Sequence, residues 1–318
     1  MGFSKYIYEK ALEQKRKDLQ QGDAKRAALK EKICEDIPRI KEIESELQKL
    51  GMQIVMQSFS GNKEEIFKLQ EKTEALMQEK AELTIGKSID IPFVCEKCKD
   101  TGVLNGKYCE CVELLAKKIQ TEELSSAAPF SECRFDNFNL EYYPSEGEAK
   151  IAPKLRMEKN FNYIKKFASD FPKGENILFI GGTGLGKTHL SIAIGNEVLK
   201  KGFSVYYSSA DEFISNLERE RYNRSTLKID VYETSNDCDL LIIDDLGTEF
   251  LTNFGRSAIY NIINSRILKG KSTIVNTNLT MAEIADKYTP RVSSRFIGNY
   301  TSLLFDGKDI RQIKAQNK

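Results

Sequence analysis

Along the first 86 residues, apolar positions recur every three or four places among Glu, Lys and Gln. They are Ile33, Ile37, Ile40, Leu47 and Leu50, then Ile66, Leu69, Leu76 and Leu83 after a break at Ser60-Gly61-Asn62. That spacing puts apolar side chains on one face of an α-helix, so it predicts two helices folded back as an antiparallel hairpin. Pro38 is the only proline in this stretch. The stripes either close the hairpin or dock on the rest of the chain, and a hairpin this charged offers a ready face to a partner protein.

From Ile91 to about Val112 the helical period gives way to cysteines, glycines and turn residues, and a connector containing Ser-Ser-Ala-Ala-Pro at 125–129 runs on to about Pro144. The pattern then changes again. Five short β-rich runs, NILFI (176–180), FSVYYSS (203–209), LLIID (240–244), STIVNTN (272–278) and TSLLF (301–305), are separated by intervals long enough for helices. Such runs predict βαβ crossovers and a parallel sheet covered on both faces. The expected domains are a helical, coiled-coil-like partner-binding region at 1–90, a cysteine module at 91–115, a linker at 116–144 and an α/β domain at 145–318.

Composition narrows the classes. With 40% hydrophobic and 30% charged residues over 318 positions, the chain can bury a core in more than one domain. Lys plus Arg (48) nearly balances Asp plus Glu (47), so no overall field draws nucleic acid or anionic membrane, and any DNA contact must come from a local patch. No stretch approaches the roughly 20 apolar residues of a membrane span, and MGFSKYIYEK lacks the apolar core of a signal peptide. A cytoplasmic protein with no membrane partner is expected.

Four of the seven cysteines form Cys95-x2-Cys98-x10-Cys109-x-Cys111, with Asp100-Thr101-Gly102 and Asn105-Gly106 as turns between them. Four thiolates in one short segment suit tetrahedral Zn²⁺, and a segment so poor in apolar residues folds only around a metal. The single residue between the second pair is tighter than usual and leaves an iron–sulfur cluster or an unmetallated loop as alternatives. Cys34, Cys133 and Cys238 are scattered and read as inert thiols.

Directly after the first β-rich run stands Gly181-Gly182-Thr183-Gly184-Leu185-Gly186-Lys187-Thr188, followed by the helix-like HLSIAIGNEVLK. Strand, glycine loop and helix in that order make a phosphate cradle. Backbone N–H groups wrap the phosphate oxygens, Lys187 gives a charge to the β and γ phosphates, and Thr188 offers a hydroxyl to Mg²⁺. The third run ends in Asp244-Asp245, at the sheet edge where doubly wound folds bind ligands. Asp244 is expected to hold Mg²⁺ through water, and Asp245 to orient or deprotonate the attacking water. His189, the only histidine, reads as a packing residue within the helix.

These residues, with LLIIDDLGTEF, the stretch from Ser257 to Arg266, STIVNTNL, RVSSRF and GKDIR in that order, resemble the AAA+ ATPases of bacterial replication: the DnaC-type helicase loaders and the related IstB-type transposition helpers. The resemblance runs from about Phe135 to the C-terminus. It implies that Asn278 is the sensor-1 residue, with Asn276 as substitute. It also implies that Arg295 is the arginine finger reaching a neighbouring subunit's γ phosphate, with Arg291 as competitor, and that Arg311 is the sensor-2 arginine. Only about a dozen residues follow the fifth run, too few for a full helical lid, so a nucleotide switch is expected rather than a fast motor.

The likeness implies a slow, assembly-dependent ATPase that self-associates through its AAA+ domains and loads a replicative hexameric helicase onto single-stranded DNA. Its alternatives are a transposition accessory ATPase and a nucleotide-controlled interaction protein without a DNA role. By the same likeness, inserted helices near 217–224 would face the pore of an assembly. Arg221 and Arg224 would then meet phosphates and Tyr222 a sugar or base, against the reading of a solvated helix end whose arginines pair with nearby glutamates.

Overall fold

A computed structural model describes residues 3–60, 63–84, 91–125, 128–146 and 151–316. Gly61 and Asn62 of the expected hairpin break lie outside them, as do the junction at 85–90 and Ser126 and Ala127 of the connector. The chain divides into two units, one of residues 12–111 and one made of the described residues before 12 and after 111.

In the first unit, three helices replace the expected two: α1 (Lys5–Asp36, its first turns belonging to the other unit), α2 (Pro38–Ser60) and α3 (Lys63–Leu83). The apolar stripe from Ile33 to Leu50 therefore belongs to two helices. Proline has no N–H and disfavours helical backbone in the residue before it, so α1 ends ahead of Pro38, which opens α2. Helices α2 and α3 form the hairpin. Arg39 reaches Glu79 at 2.8 Å and Lys80 reaches Glu44 at 2.8 Å, pairings that fit antiparallel helices. Ile40, Ile43 and Leu69 are buried. At the far end Met56 and Phe59 are 72% and 91% exposed, with Phe67 also open to solvent.

The same unit holds the cysteine module, whose two-residue strands β1 (Val103–Leu104) and β2 (Lys107–Tyr108) pair antiparallel. Asn105 and Gly106 turn between them, both at positive φ (51° and 76°), where asparagine and glycine are at ease.

The second unit is α/β. After α4 (Glu110–Leu124, from Val112 onward in this unit) come α5 (Pro153–Asp170), β3 (Ile177–Gly181), α6 (Lys187–Lys200), β4 (Val205–Ser209), α7 (Ala210–Arg221) and α8 (Val231–Asp237). They are followed by β5 (Leu240–Leu246), α9 (Asn253–Leu268), β6 (Ser272–Thr277), α10 (Met281–Lys287), α11 (Pro290–Asn299), β7 (Thr301–Phe305) and α12 (Ile310–Gln316). The five β-rich runs form one parallel sheet in the order β4-β5-β6-β3-β7. Strands β5 and β6 are buried almost throughout, which is why they read as unbroken apolar runs, whereas the edge strand β7 alternates.

The stretch 116–144 is not a free linker. Its residues Ala116, Thr121, Leu124, Cys133 and Tyr143 are buried, and Thr121 Oγ1 donates to the Val205 carbonyl (2.8 Å) while the Tyr207 N–H donates to Ser125 Oγ (2.9 Å). Strand β4 lies at an edge of the sheet with unpaired backbone groups, and this segment covers them. The α/β unit thus takes in the connector as well as 145–316 and the start of α1. No helix is long and apolar enough to cross a membrane among the described residues.

Candidate nucleotide site and cysteine centre

In the strand order, β6 lies between β5 and β3, so the loop after β3 and the end of β5 flank the end of β6. The carboxyl ends of these strands open onto a cavity of about 370 Å³. Thr183, Lys187, Thr188, Asp245, Asn278 and Arg311 all line it. A larger cavity of about 590 Å³ is lined by Ser204, Asp239 and Lys271, each just ahead of a strand, and so lies at the opposite sheet edge, away from every one of these residues.

The loop Gly181–Thr188 turns back on itself through backbone that only glycine adopts freely. Gly184 and Gly186 sit at φ 72° and 85°, and a Cβ on Gly186 would come within 2.9 Å of the Phe138 ring and 3.0 Å of the Tyr143 hydroxyl. That crowding fixes the loop where α6 begins, with its N-terminal N–H groups free to meet an anion. Lys187 is 5% exposed, and its ammonium donates to the Gly181 and Gly182 carbonyls at 2.7 and 2.6 Å and to Asn278 Oδ1 at 2.6 Å. Burial pushes its pKa below the usual lysine value, against the pull of Asp245 and Asp244.

Asp244 is 3% exposed and held from every side. Thr188 Oγ1 donates to its Oδ1 at 3.2 Å, Asn276 Nδ2 to the same oxygen at 2.7 Å, and the Tyr207 hydroxyl to Oδ2 at 2.8 Å. Thr188 Oγ1 and Asp244 Oδ1 thus stand 3.2 Å apart, close enough for one cation to meet both oxygens. Asp245 is exposed to the cavity at φ 54°, and partial desolvation, with Asp244 beside it, pushes its carboxyl above the usual range. A raised pKa favours proton acceptance nearer neutrality.

The two asparagines separate cleanly. Asn278 lines the cavity and meets Lys187, whereas Asn276 is fully buried and holds Asp244 and Ser191. Arg311, in the short helix α12, lines the cavity with Ile310 and Lys314, so this helix forms part of one wall. Arg295 and Arg291 are on α11 and outside that lining. Arg295 Nε is buried without a hydrogen-bond partner among the described residues. His189 packs against Phe138 and bonds the Arg134 carbonyl at 2.9 Å.

Sequence reasoning missed Tyr207 and the wall made by Asn137, Phe138, Asn139 and Tyr142. Aromatic density in RFDNFNLEYY was the available signal.

Residues 217–221 are the end of α7, the first of two helices between β4 and β5, and Leu217 is buried. Arg219, Arg221 and Arg224 make no ion pair among the described residues. The nearby glutamates are engaged elsewhere. Glu220 accepts from the N–H groups of Val231 and Tyr232, and Glu218 from Thr252. Arg221 stacks on Phe254 at 4.6 Å, while Tyr222 is 62% exposed.

In the other unit, the sulfurs of Cys95, Cys98, Cys109 and Cys111 all lie within 4.8 Å of one another, with Cys95 to Cys109 at 3.8 Å and Cys98 to Cys111 at 3.5 Å. Four sulfurs around a tetrahedral zinc at about 2.3 Å stand about 3.8 Å apart, so the donor set fits that ion. Asp100, at φ 61°, accepts from the N–H groups of Val94 and Cys95, both at 2.9 Å, and pairs with the buried Lys15 ammonium at 3.3 Å. Although burial opposes it, these three donors hold the Asp100 carboxyl below its usual range.

Residues 160–291 match the family model described as IstB-like ATP binding protein. The replicative helicase loader DnaC of Escherichia coli (strain K12) is 26% identical over 215 residues, 67% of this chain and 83% of that one. The chain is thus similar both to the DnaC-type AAA+ helicase loaders and to the IstB-like ATP-binding proteins. The DnaC loader of Buchnera aphidicola subsp. Acyrthosiphon pisum is 27% identical over 194 residues, 59% of this chain and 73% of its own. The crystal structure of the DnaC helicase loader aligns with TM-score 0.47 and 24% identity over 56% of this chain and 98% of that chain. The likeness to AAA+ ATP-binding proteins implies ATP and Mg²⁺ as ligands and an ATPase activity.

Proposed function

We propose that this chain loads a replicative hexameric helicase onto single-stranded DNA in the cytoplasm, as an oligomeric switch driven by ATP. The observation that carries the reading is the convergence of Lys187, Thr188, Asp244, Asp245, Asn278 and Arg311 on one cavity, in a chain alignable with most of the length of the DnaC loaders. The IstB-like match covers the ATPase core alone, so the transposition helper remains the weaker alternative.

Bound Mg²⁺ would neutralise phosphate charge, with Thr188 and Asp244 as its protein partners. Lys187 would exchange its carbonyl and Asn278 partners for the β and γ phosphates. Asp245 would orient and deprotonate water, Asn278 would hold that water or the γ phosphate, and Arg311 would sense the phosphate from α12. Arg295 would serve the neighbouring subunit's site, which makes hydrolysis slow and dependent on assembly. The four cysteines would hold a structural zinc.

The exposed apolar residues at the end of the α2–α3 hairpin support its role as the helicase-binding element. Replacing Met56 and Phe59 together by Asp in the full chain is expected to lower capture of the host's replicative helicase at least tenfold, given the few residues that dominate an interface. ATP affinity should not change. Undiminished capture would place the helicase contact elsewhere.

Arg221 at the end of α7 and Arg224 just past it, neither in an ion pair among the described residues, support a single-strand contact. Arg221→Gln with Arg224→Gln should weaken binding to single strands of any sequence and reduce the slope of log affinity against log salt by about 1.4, two phosphates at about 0.7 each. A double variant with the parent's affinity across a salt titration, with ATP present, would move the DNA path to another surface.

A further inference from the structure

The loop after Asp245 contains a buried carboxylate that the nucleotide site does not use. Glu249 is 4% exposed and lies outside the cavity lining. A desolvated carboxylate persists only when donors compensate it, and three do here. The Gly247 N–H donates to Oε2 at 2.9 Å, the Tyr288 hydroxyl donates to Oε1, and the Lys287 ammonium is 3.6 Å away. Lys287 also donates to the carbonyls of Gly247 and Glu249, and Arg256 on α9 donates to the Lys287 carbonyl at 3.0 Å. On the other side of the loop, the Thr248 hydroxyl and N–H both bond the Asp245 carbonyl, at 2.9 and 3.2 Å. The loop is thus fixed to Asp245 at one end and to Lys287–Tyr288 at the other.

Lys287 ends α10 and Pro290 begins α11. The joint between them is Tyr288, with no exposure at all, and Thr289 at φ 139°, a conformation that costs a β-branched residue energy and persists only where its surroundings impose it. The next helix carries Arg291 and Arg295. An unbroken series of bonded groups therefore joins Asp245, which lines the cavity, to the start of the arginine-bearing helix.

We propose that Glu249 is a positioning residue that couples the Asp245 loop of a subunit to the arginine helix which that subunit presents to its neighbour. The inference rests on the reading of Arg295 as a residue acting across subunits. A shift of the loop when nucleotide fills one site would pass through Glu249, Tyr288 and Thr289 to the adjacent site, linking hydrolysis events around the assembly. A clasp that merely stabilised the fold would lower melting temperature without changing what one subunit does for another.

The test uses full-length chains at a temperature where all are folded. A large excess of Arg295→Ala subunits, which keep Asp245 and Glu249 but lack the finger, is mixed with a small amount of finger-bearing chain, so that new hydrolysis reports the finger donated in trans. Intact chain should restore hydrolysis. Glu249→Gln chain should incorporate equally and bind ATP within about twofold of the parent, yet restore about tenfold less hydrolysis per added subunit, the scale of a misplaced catalytic group. Tyr288→Phe, which deletes one hydroxyl, should fall in the same direction and add little to Glu249→Gln in the double variant. Restoration by Glu249→Gln chain equal to that by intact chain overturns the coupling while leaving the trans finger standing. Loss of ATP binding in the isolated Glu249→Gln subunit also overturns it, because the residue would then serve its own site. Failure of intact chain itself to restore hydrolysis removes the trans reading, and the coupling with it.

Discussion

Lys187→Ala is expected to weaken ATP binding at least 100-fold, the consequence of losing a buried charge that serves several acceptors at once. The lysine is almost wholly enclosed and its three partners are oxygens of the loop and of Asn278. With phosphate present, those short bonds are exchanged for bonds to a polyanion, and the ammonium, whose proton affinity burial lowers, gains the strong negative partner that stabilises its charged form. Alanine leaves the phosphate charge facing backbone N–H groups and helix α6 alone. The fold should survive, because Gly181 is only half-buried and Gly182 exposed, so water can replace the ammonium at their carbonyls. Titration with a fluorescent ATP analogue, alongside circular dichroism, measures both. Parent-like affinity in a folded variant would mean that the loop holds no triphosphate.

What the sequence disclosed and what it hid have physical causes. The strands were legible because a parallel sheet covered on both faces must be apolar along its length, and the phosphate loop because glycine at positive φ cannot be replaced cheaply. Strand order was not legible, since nothing local in FSVYYSS says that β4 lies at an edge. For the same reason nothing local in 116–144 says that this stretch covers that edge. Thr121 and Ser125 bond β4 through single oxygens, a contact with no period to detect. Asn276 and Asn278 could not be told apart in advance because a strand puts alternate residues on one face. Only the end of β6 at Thr277 leaves one buried against Asp244 and frees the other to meet Lys187. Tyr207 stands in the middle of a strand, where an aromatic residue is ordinarily core, so its bond to Asp244 had no signature. Pro38 did announce the helix break, yet the apolar spacing ran through it and disguised two helices as one.

Purified full-length protein is expected to contain one zinc per chain, and Cys95→Ser with Cys98→Ser to contain about a tenth of that or less, since removing two of four thiolates destroys a structural site. The sulfur spacing matches a tetrahedral ion, and the segment offers little else to hold it. Between Ile91 and Cys111 Val94, Val103, Leu104 and Tyr108 are exposed, Ile91 and Phe93 only half-buried with Arg26 over the Phe93 ring, and the buried residues are Cys98, Asp100, Gly102 and Cys109, Asp100 paired with buried Lys15. Without metal, the turns at Lys99, Asp100 and Asn105, all at positive φ, have a few hydrogen bonds to Asp100 and Cys98, the ion pairs of Asp100 and Lys97, the Arg26–Phe93 contact and a two-residue hairpin to oppose chain entropy. Structural zinc contributes about 10–16 kcal/mol in isolated fingers, so chelation should release these residues as a unit. Hydrogen exchange over 91–111 should rise to the rate of unfolded chain in the variant and in chelated parent. ATP affinity should hold, because every partner of Lys187 lies in the α/β unit. Elemental analysis of anaerobically purified protein decides the ion: iron with a brown colour would assign a cluster to the four sulfurs, and metal near zero with unchanged exchange would leave them a bare loop.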